Sequence, residues 1–488
     1  MTNEKVYHKI KEDLDSYYQN KDSNIWRNKS HIEMPFGLVN DPNGLSYYNG
    51  KYHIFYQWNP FGCEHKTKHW GLVKTADFVN FSKPEIILKP EDWFDKNGCY
   101  SGGAYVKGDT LKLFYTGNVK DENNNRESYQ CIVDYHKDGS FKKKGPVIPK
   151  QPEGYTAHFR DPMIFVQDGT YYMILGVQRD NLTGAALIYK SDDIEKWEFL
   201  GELKTDKENF GFMWECPNLV KVSKDKYALL FSPQGLEAEE FKNQNIYQSG
   251  YMIGELDLNN VELKKHTEFK ELDMGFDFYA PQVFTHDGQN IMIGWVGMPD
   301  KDSEYPSAQN GGWMFPLTLP RVLEYKNDVL YQKPLEKLEN LRETKIVDIK
   351  DKVENNYEIK LDNRNVEIKL NLNIEQNNCI NLKFKFNDEY ISLTYDKLSE
   401  VCTIDRNNME LGGRGIRKFK LKAEKSLDLH MFIDNSVMEI YYEYGLETTT
   451  FMYFPKSDDF KIEIQSDNNI NININKLCIW NLRGVRYE

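Results

Sequence analysis

Short runs of apolar, β-branched and aromatic residues recur through the first two-thirds of the chain. "KYHIFYQ" starts at 51, "LKLFYTG" at 111, "TYYMILG" at 170, "KYALLFS" at 226 and "QNIMIGW" at 289, so successive starts lie 60, 59, 56 and 63 residues apart. Most are preceded by a tight-turn pair such as Asn49-Gly50 or Asp168-Gly169, the flanking expected of strands in hairpins. A strand unit repeated five times at a near-constant period predicts a five-bladed β-propeller.

The pattern then changes. "QKPLEKLENLRETK" carries Leu335, Leu338 and Leu341 at helical spacing and predicts a helical linker over 333–348. Beyond it, alternating runs such as "NVEIKLNLNI" and "KIEIQSDNNINININ" predict half-buried antiparallel strands, and hence a β-sandwich over 349–488. At the other end, Val6, Ile10, Leu14 and Tyr17 mark an amphipathic helix within a helical extension over 1–30. The fold class predicted is all-β, with the propeller over 31–332 followed by the sandwich.

Composition narrows the function. A chain of 488 residues exceeds one ordinary core, and 14 % aromatic content suits a β-rich protein that binds rings. A formal net charge of -13 argues against nucleic acid and against an anionic membrane surface. The first residues lack an apolar core of signal-peptide type, and no apolar run is long enough to span a membrane. A cytoplasmic protein is expected. Cysteines 63, 99, 131, 216, 379, 402 and 478 show no CxxC spacing, so neither a disulfide framework nor a zinc site is expected. Of the histidines, only His65 and His69 have metal-like spacing, and the loop context and intervening lysines argue against a metal. No nucleotide-binding glycine motif occurs. No cofactor is expected.

About ten residues before each repeated run stands a polar residue: Asp41 in "NDPNG", Ser101 in "YSGGA", Asp161 in "FRDP", Glu215 in "WECP" and Tyr279 in "DFYAP", separated by 60, 60, 54 and 64 residues. Any one acid alone reads as a turn former or a solvated side chain. Their recurrence at nearly matched positions puts them around one channel, and like charges gathered there need a reason. Two facing carboxyl groups are the minimum apparatus for cleaving a glycosidic bond, one ionised and one protonated. Asp41 lies in what reads as a polar turn with backbone N–H donors, which suits the anion. Glu215, between Trp214 and Cys216-Pro217, reads as the protonated general acid in an apolar setting. Asp161, beside Arg160, is expected to stay charged and to oppose positive charge in the transition state.

"NDPNG", "FRDP" and "WECP", in this order and spacing, resemble the signature motifs of glycoside hydrolase family 32, the invertase and β-fructosidase family. "FYQWNP", "YTGN", "DFYAPQ", "IGWVG" and "LTLPR" add to the resemblance, which runs from about 31 to 345 and more weakly through "LHMFIDNSVMEIYYEYG". It implies a propeller followed by a sandwich and a retaining hydrolysis of terminal β-fructofuranosides. Carried over by position, it makes Asp41 the nucleophile, Glu215 the acid and then the base, and Asp161 the transition-state stabiliser. Asn40, Gln57, Ser101, Arg160, Tyr279 and Trp295 match the fructose pocket, and Trp70 is counted with the sugar-facing aromatics.

Two departures stand out. Leu38-Val39 replaces the usual Trp-Met before "NDPNG", and His65 stands where many invertases have Trp. "NPFGCEHKTKHWG" resembles the members that hydrolyse sucrose 6-phosphate, and His65, Lys66 and Lys68 are candidate phosphate-binding residues, with Lys301 or Arg179 as substitutes. The other reading of Lys66 and Lys68 is a solvated loop face. The partner expected is a small sugar, sucrose 6-phosphate or sucrose, for a monomer or homodimer. Fructan exo-hydrolysis or fructosyl transfer would use the same acids. A five-bladed arabinoside-inverting enzyme should lack the "NDPNG" and "WECP" pair, and a non-catalytic sugar-binding propeller has no need of both Asp41 and Glu215.

Overall fold

The computed structural model describes residues 3–19, 24–300, 305–466 and 470–488. Each repeated run is a central strand of its own sheet, antiparallel to the strands it pairs with: Lys51–Asn59, Thr110–Lys120, Thr170–Arg179, Tyr227–Gln234 and Gln289–Trp295. Hairpin turns at Asn49-Gly50, Asp168-Gly169 and Asp287-Gly288 take positive φ at both residues, the twist that fits a right-handed strand pair. The core lies between the sheets, as in the cluster that joins Phe55, Trp70 and Leu72 of the first to Leu111, Leu113 and Tyr115 of the second.

The innermost segments of the five sheets are linked in order. Gly44 N donates to Gly102 O at 3.0 Å, and Gly103 N to Pro162 O at 2.8 Å. Cys216 N donates to Asp161 Oδ2 at 2.9 Å, and Asn218 Nδ2 to Pro281 O at 3.2 Å. Leu45 N then donates to Gln282 Oε1 at 2.8 Å, joining the fifth sheet to the first. The second sheet meets its neighbours through Ser101-Gly102-Gly103, where a Cβ on Gly102 would lie 2.0 Å from Phe114 O. Pro42, Gly102, Asp161, Cys216 and Ala280 line a small cavity of about 10 Å³.

Past residue 341 two six-stranded antiparallel sheets pack face to face. Strand Cys379–Phe386 alternates half-buried and buried positions, as does Val366–Asn373 from Ile368 on, and Ile368, Leu370, Leu382 and Phe384 share one apolar core. The helical linker is shorter than expected: Glu336–Leu341 is a 3₁₀ turn with Leu338 and Leu341 buried, and Arg342–Glu354 is already a strand. The spaced leucines end at Leu341, and pairing with Ile472–Leu482 begins at the next residue. At the N-terminus the helix spans Asn3–Gln19, with Ile10 and Leu14 buried. Residues 24–30 are not helical, and Lys29 N and Ser30 N donate to Asp434. No described helix is long and apolar enough to cross a membrane.

A buried ionic seam joins the two parts. Arg321 of "LTLPR" is fully buried and donates to Glu439 Oε2 at 2.7 Å and to Asp273 Oδ2 at 3.1 Å. His31 bridges Asp434 at 2.9 Å and Glu439 at 3.1 Å. Burial alone would lower the His31 pKa, but the two carboxylates more than offset it and hold the imidazole at about 9.

Candidate active site

"NDPNG" is not a turn between strands. It lies inside the twelve-residue strand Gly37–Tyr48, whose ladder to Lys51–Asn59 is bulged between Val39 and Pro42. Proline cannot donate to a ladder, and a bulge is where a strand tolerates it. The same break recurs at Arg160/Met163, Glu215/Asn218 and Tyr279/Gln282, each around an X-Pro step. The residue before proline has φ of 67° at Asp161, 48° at Cys216 and 48° at Ala280, a conformation that costs roughly 1 kcal/mol or more per residue.

Aligned on these prolines, Asp41 corresponds to Asp161, Cys216 and Ala280, whereas Glu215 corresponds to Asn40, Arg160 and Tyr279. The matched spacing of the sequence is thus offset by one residue for Glu215 and Tyr279. Counted from the proline, Glu215 stands one position earlier than the two aspartates.

Asp41 is held in a closed ring of hydrogen bonds. Asn40 Nδ2 donates to Asp41 Oδ1 at 3.0 Å and to Gln57 Oε1 at 2.7 Å. Gln57 Nε2 donates to Ser101 Oγ at 2.7 Å, and Ser101 Oγ donates to Asp41 Oδ2 at 2.5 Å. Burial raises the Asp41 carboxyl above its ordinary value; Ser101, Asn40 and the charge of Lys68 oppose this, and Glu215 adds to it. The donors that favour the anion are therefore side chains, not the turn amides expected.

Glu215 has a polar setting in place of the apolar one expected. Arg160 Nε and Nη2 donate to Oε1 at 3.0 and 2.7 Å, while Gln234 Nε2 and the Tyr279 hydroxyl donate to Oε2 at 2.8 and 2.7 Å. Adjacent strand residues face opposite ways. Trp214 turns into the apolar core against Phe231, its Nε1 donating to Phe210 O at 2.7 Å.

Asp161 is buried and accepts the Cys216 N–H. Burial, with the like charges of Glu215 and Asp41 added, pushes its carboxyl up to about 7 against the pull of Arg160. The Arg160 fork engages Glu215, and burial outweighs its attraction for Asp161. Cys216 Sγ lies 3.9 Å from Asp41 Oδ2 and 3.7 Å from Asp161 Oδ2.

The other expected residues divide. Trp295 is buried, with the His65 ring edge-on at 5.7 Å and the Tyr279 ring at 6.4 Å. Trp70 lies behind the site: it is fully buried in the core between the first two sheets, and its Nε1 donates to Tyr100 O at 3.0 Å. Lys66 is 73 % exposed and pairs with Glu64, so it is part of the solvated face. Lys68 points inward, donating to Asn40 Oδ1 at 2.6 Å and to His65 Nδ1 at 3.1 Å. Burial lowers its pKa to about 7, with Asp41 opposing. Arg179 is committed to Glu202, Thr183 and the carbonyls of Gly184 and Glu208. Lys301 lies outside the described residues. Gln234 was missed by the sequence reading. Its signal is that Gln57 and Gln178 likewise stand near the end of an apolar central strand.

The Glycosyl hydrolases family 32 N-terminal domain model matches residues 31–334, and the Glycosyl hydrolases family 32 C terminal model matches residues 335–481. The chain belongs to glycosyl hydrolase family 32. It is 40 % identical over 463 residues to the sucrose-6-phosphate hydrolase of Bacillus subtilis (93 % of this chain, 94 % of the relative). With that of Staphylococcus xylosus it shares 38 % identity over 442 residues (88 % and 87 % covered). The solved sucrose-6-phosphate hydrolase of Lactobacillus gasseri superposes with a TM-score of 0.87 at 32 % identity, over 98 % of this chain and 97 % of that one. A mutant of the Bombyx mori GH32 beta-fructofuranosidase in complex with sucrose gives a TM-score of 0.83 at 29 % identity, over 99 % of both chains.

Proposed function

We propose that this family 32 enzyme is a retaining β-fructofuranosidase that cleaves the fructosyl bond of sucrose 6-phosphate, from a five-bladed propeller carrying a β-sandwich. The propeller reading is supported by five sheets whose innermost segments are hydrogen-bonded in sequence, the fifth back to the first. The substrate reading is supported by relatives of nearly full coverage that bear the name sucrose-6-phosphate hydrolase. A sugar phosphate is held inside a cell by its charge, which fits a cytoplasmic enzyme.

The observation that carries the mechanism is the clustering of the three acids: Cys216 Sγ lies within 3.9 Å of Asp41 and Asp161, and Arg160, next to Asp161, holds Glu215. Asp41, oriented by Asn40 and Ser101, attacks the anomeric carbon of the fructosyl unit. As that carbon–oxygen bond forms, the bond to the glucose oxygen breaks, and this oxygen takes the proton of Glu215. Water then attacks the fructosyl-enzyme, giving its proton to the Glu215 carboxylate and freeing Asp41. Asp161, with its carboxyl at the edge of ionisation, supplies negative charge as positive charge develops on the sugar ring.

The test is Asp41→Ala. Its kcat should fall by ~10⁴ or more, while calorimetric affinity for sucrose 6-phosphate stays within severalfold. Turnover that survives the change would overturn the mechanism.

A further inference from the structure

A phosphate on the leaving sugar calls for a cation at the mouth of the site that is not already paired. Strand Arg126–Tyr135 of the second sheet runs beside Tyr155–Gln167, the first strand of the third. Alternate residues on one face reach across. Gln130 Nε2 donates to Phe159 O at 3.0 Å, and Ser128 Oγ donates to Ala157 O at 2.8 Å. Arg126 is next in that series, beyond Ser128, and its guanidinium lies within charge-interaction range of His158 and Arg160. Its Cζ lies 5.7 Å from the centroid of the Tyr100 ring, and Tyr100 precedes Ser101 of the Asp41 ring.

Among the described residues the Arg126 guanidinium makes no ion pair and donates no hydrogen bond. The acids close to it in sequence are engaged: Asp121 accepts the N–H groups of Asn123 and Asn125, and Glu127 accepts the Tyr129 hydroxyl. Burial and the like charge of Arg160 push Arg126 below the usual guanidinium value, with Tyr100 and Glu215 opposing. Glu215 itself is already held by Arg160. Arg160 Nη1 lies 3.1 Å from His158 Nδ1. An arginine only donates, so Nδ1 is the acceptor and the ring proton sits on Nε2 as a second donor.

We propose that Arg126 and His158 form the binding site for the phosphate of the sugar whose fructosyl end meets Asp41. The assignment rests on the reading of sucrose 6-phosphate as substrate. A guanidinium offers two parallel N–H groups to two phosphate oxygens, and His158 Nε2–H supplies a third contact. A dianion there relieves the repulsion between Arg126 and Arg160. The lysines of the "HKTK" run are already used: Lys66 pairs with Glu64, and Lys68 holds Asn40.

The test is kcat/KM for sucrose 6-phosphate and for sucrose, measured on the wild type, Arg126→Gln and Lys66→Ala. The ratio of the two constants should fall about ten- to a hundredfold in Arg126→Gln, chiefly through KM for the phosphorylated sugar. It should not change in Lys66→Ala. A wild-type preference for sucrose 6-phosphate that persists in Arg126→Gln overturns the site and leaves the enzyme reading standing. No preference in the wild type overturns both. If Arg126→Gln does not fold, Arg126→Lys, which keeps the charge and loses the fork, is read in the same way.

Discussion

Lys68 Nζ donates to Asn40 Oδ1 at 2.6 Å, and that bond fixes which way the Asn40 amide faces. An ammonium can only donate, so the amide nitrogen must point to Asp41 and Gln57. The buried charge of Lys68 also acts directly on Asp41, opposing the rise that burial causes.

Lys68→Met should therefore do two things. It should lower kcat/KM about ten- to a hundredfold, and it should move the acid limb of the pH profile of kcat/KM to higher pH, because removing a nearby positive charge raises the Asp41 pKa. A lower profile with an unmoved acid limb would mean that Lys68 only fills space.

Glu215→Gln should discriminate between leaving groups. A fructoside with an activated leaving group needs no proton in the first step, so its loss there should be small, while sucrose 6-phosphate should lose about 10²- to 10⁴-fold. Equal losses on both would argue against the acid role.

The buried ionic seam between the five N-terminal sheets and the two C-terminal sheets predicts a pH-dependent stability. His31 is held at about 9 against an ordinary value of 6.5. Its contribution is complete below about 6.5 and is lost as pH rises through about 9, a change on the order of 3 kcal/mol. The wild-type Tm should fall more steeply than that of His31→Asn across this window. Parallel curves would show that the His31 charge does not stabilise the seam.

Much of this was legible in the sequence. The five central strands declare themselves because a run such as "TYYMILG" bounded by Asp168-Gly169 has few other ways to fold. The sandwich strands are legible through strict alternation, as in Val366–Asn373. "NDPNG" misled because its composition is that of a turn, yet pairing on both sides, from Leu38 with Asn59 to Tyr47 with Tyr52, keeps it in the strand. Glu215 misled for a related reason, since its apolar neighbour Trp214 belongs to the opposite face. Lys66 and Lys68 are alike in sequence and opposite in place, which only the loop conformation decides. Arg126 gave no local signal, because Tyr100 beside it is far away in sequence and His158 and Arg160 come from another sheet.

The account stands or falls on the bond between Asp41 and the sugar. Glu215→Gln, given a fructoside with an activated leaving group, should form the fructosyl-enzyme readily and hydrolyse it slowly for want of a base. Acid quenching followed by peptide mass spectrometry should then find one fructosyl unit on the peptide that contains Asp41. No adduct, or an adduct on a peptide without Asp41, would contradict the assignment of Asp41 as the nucleophile.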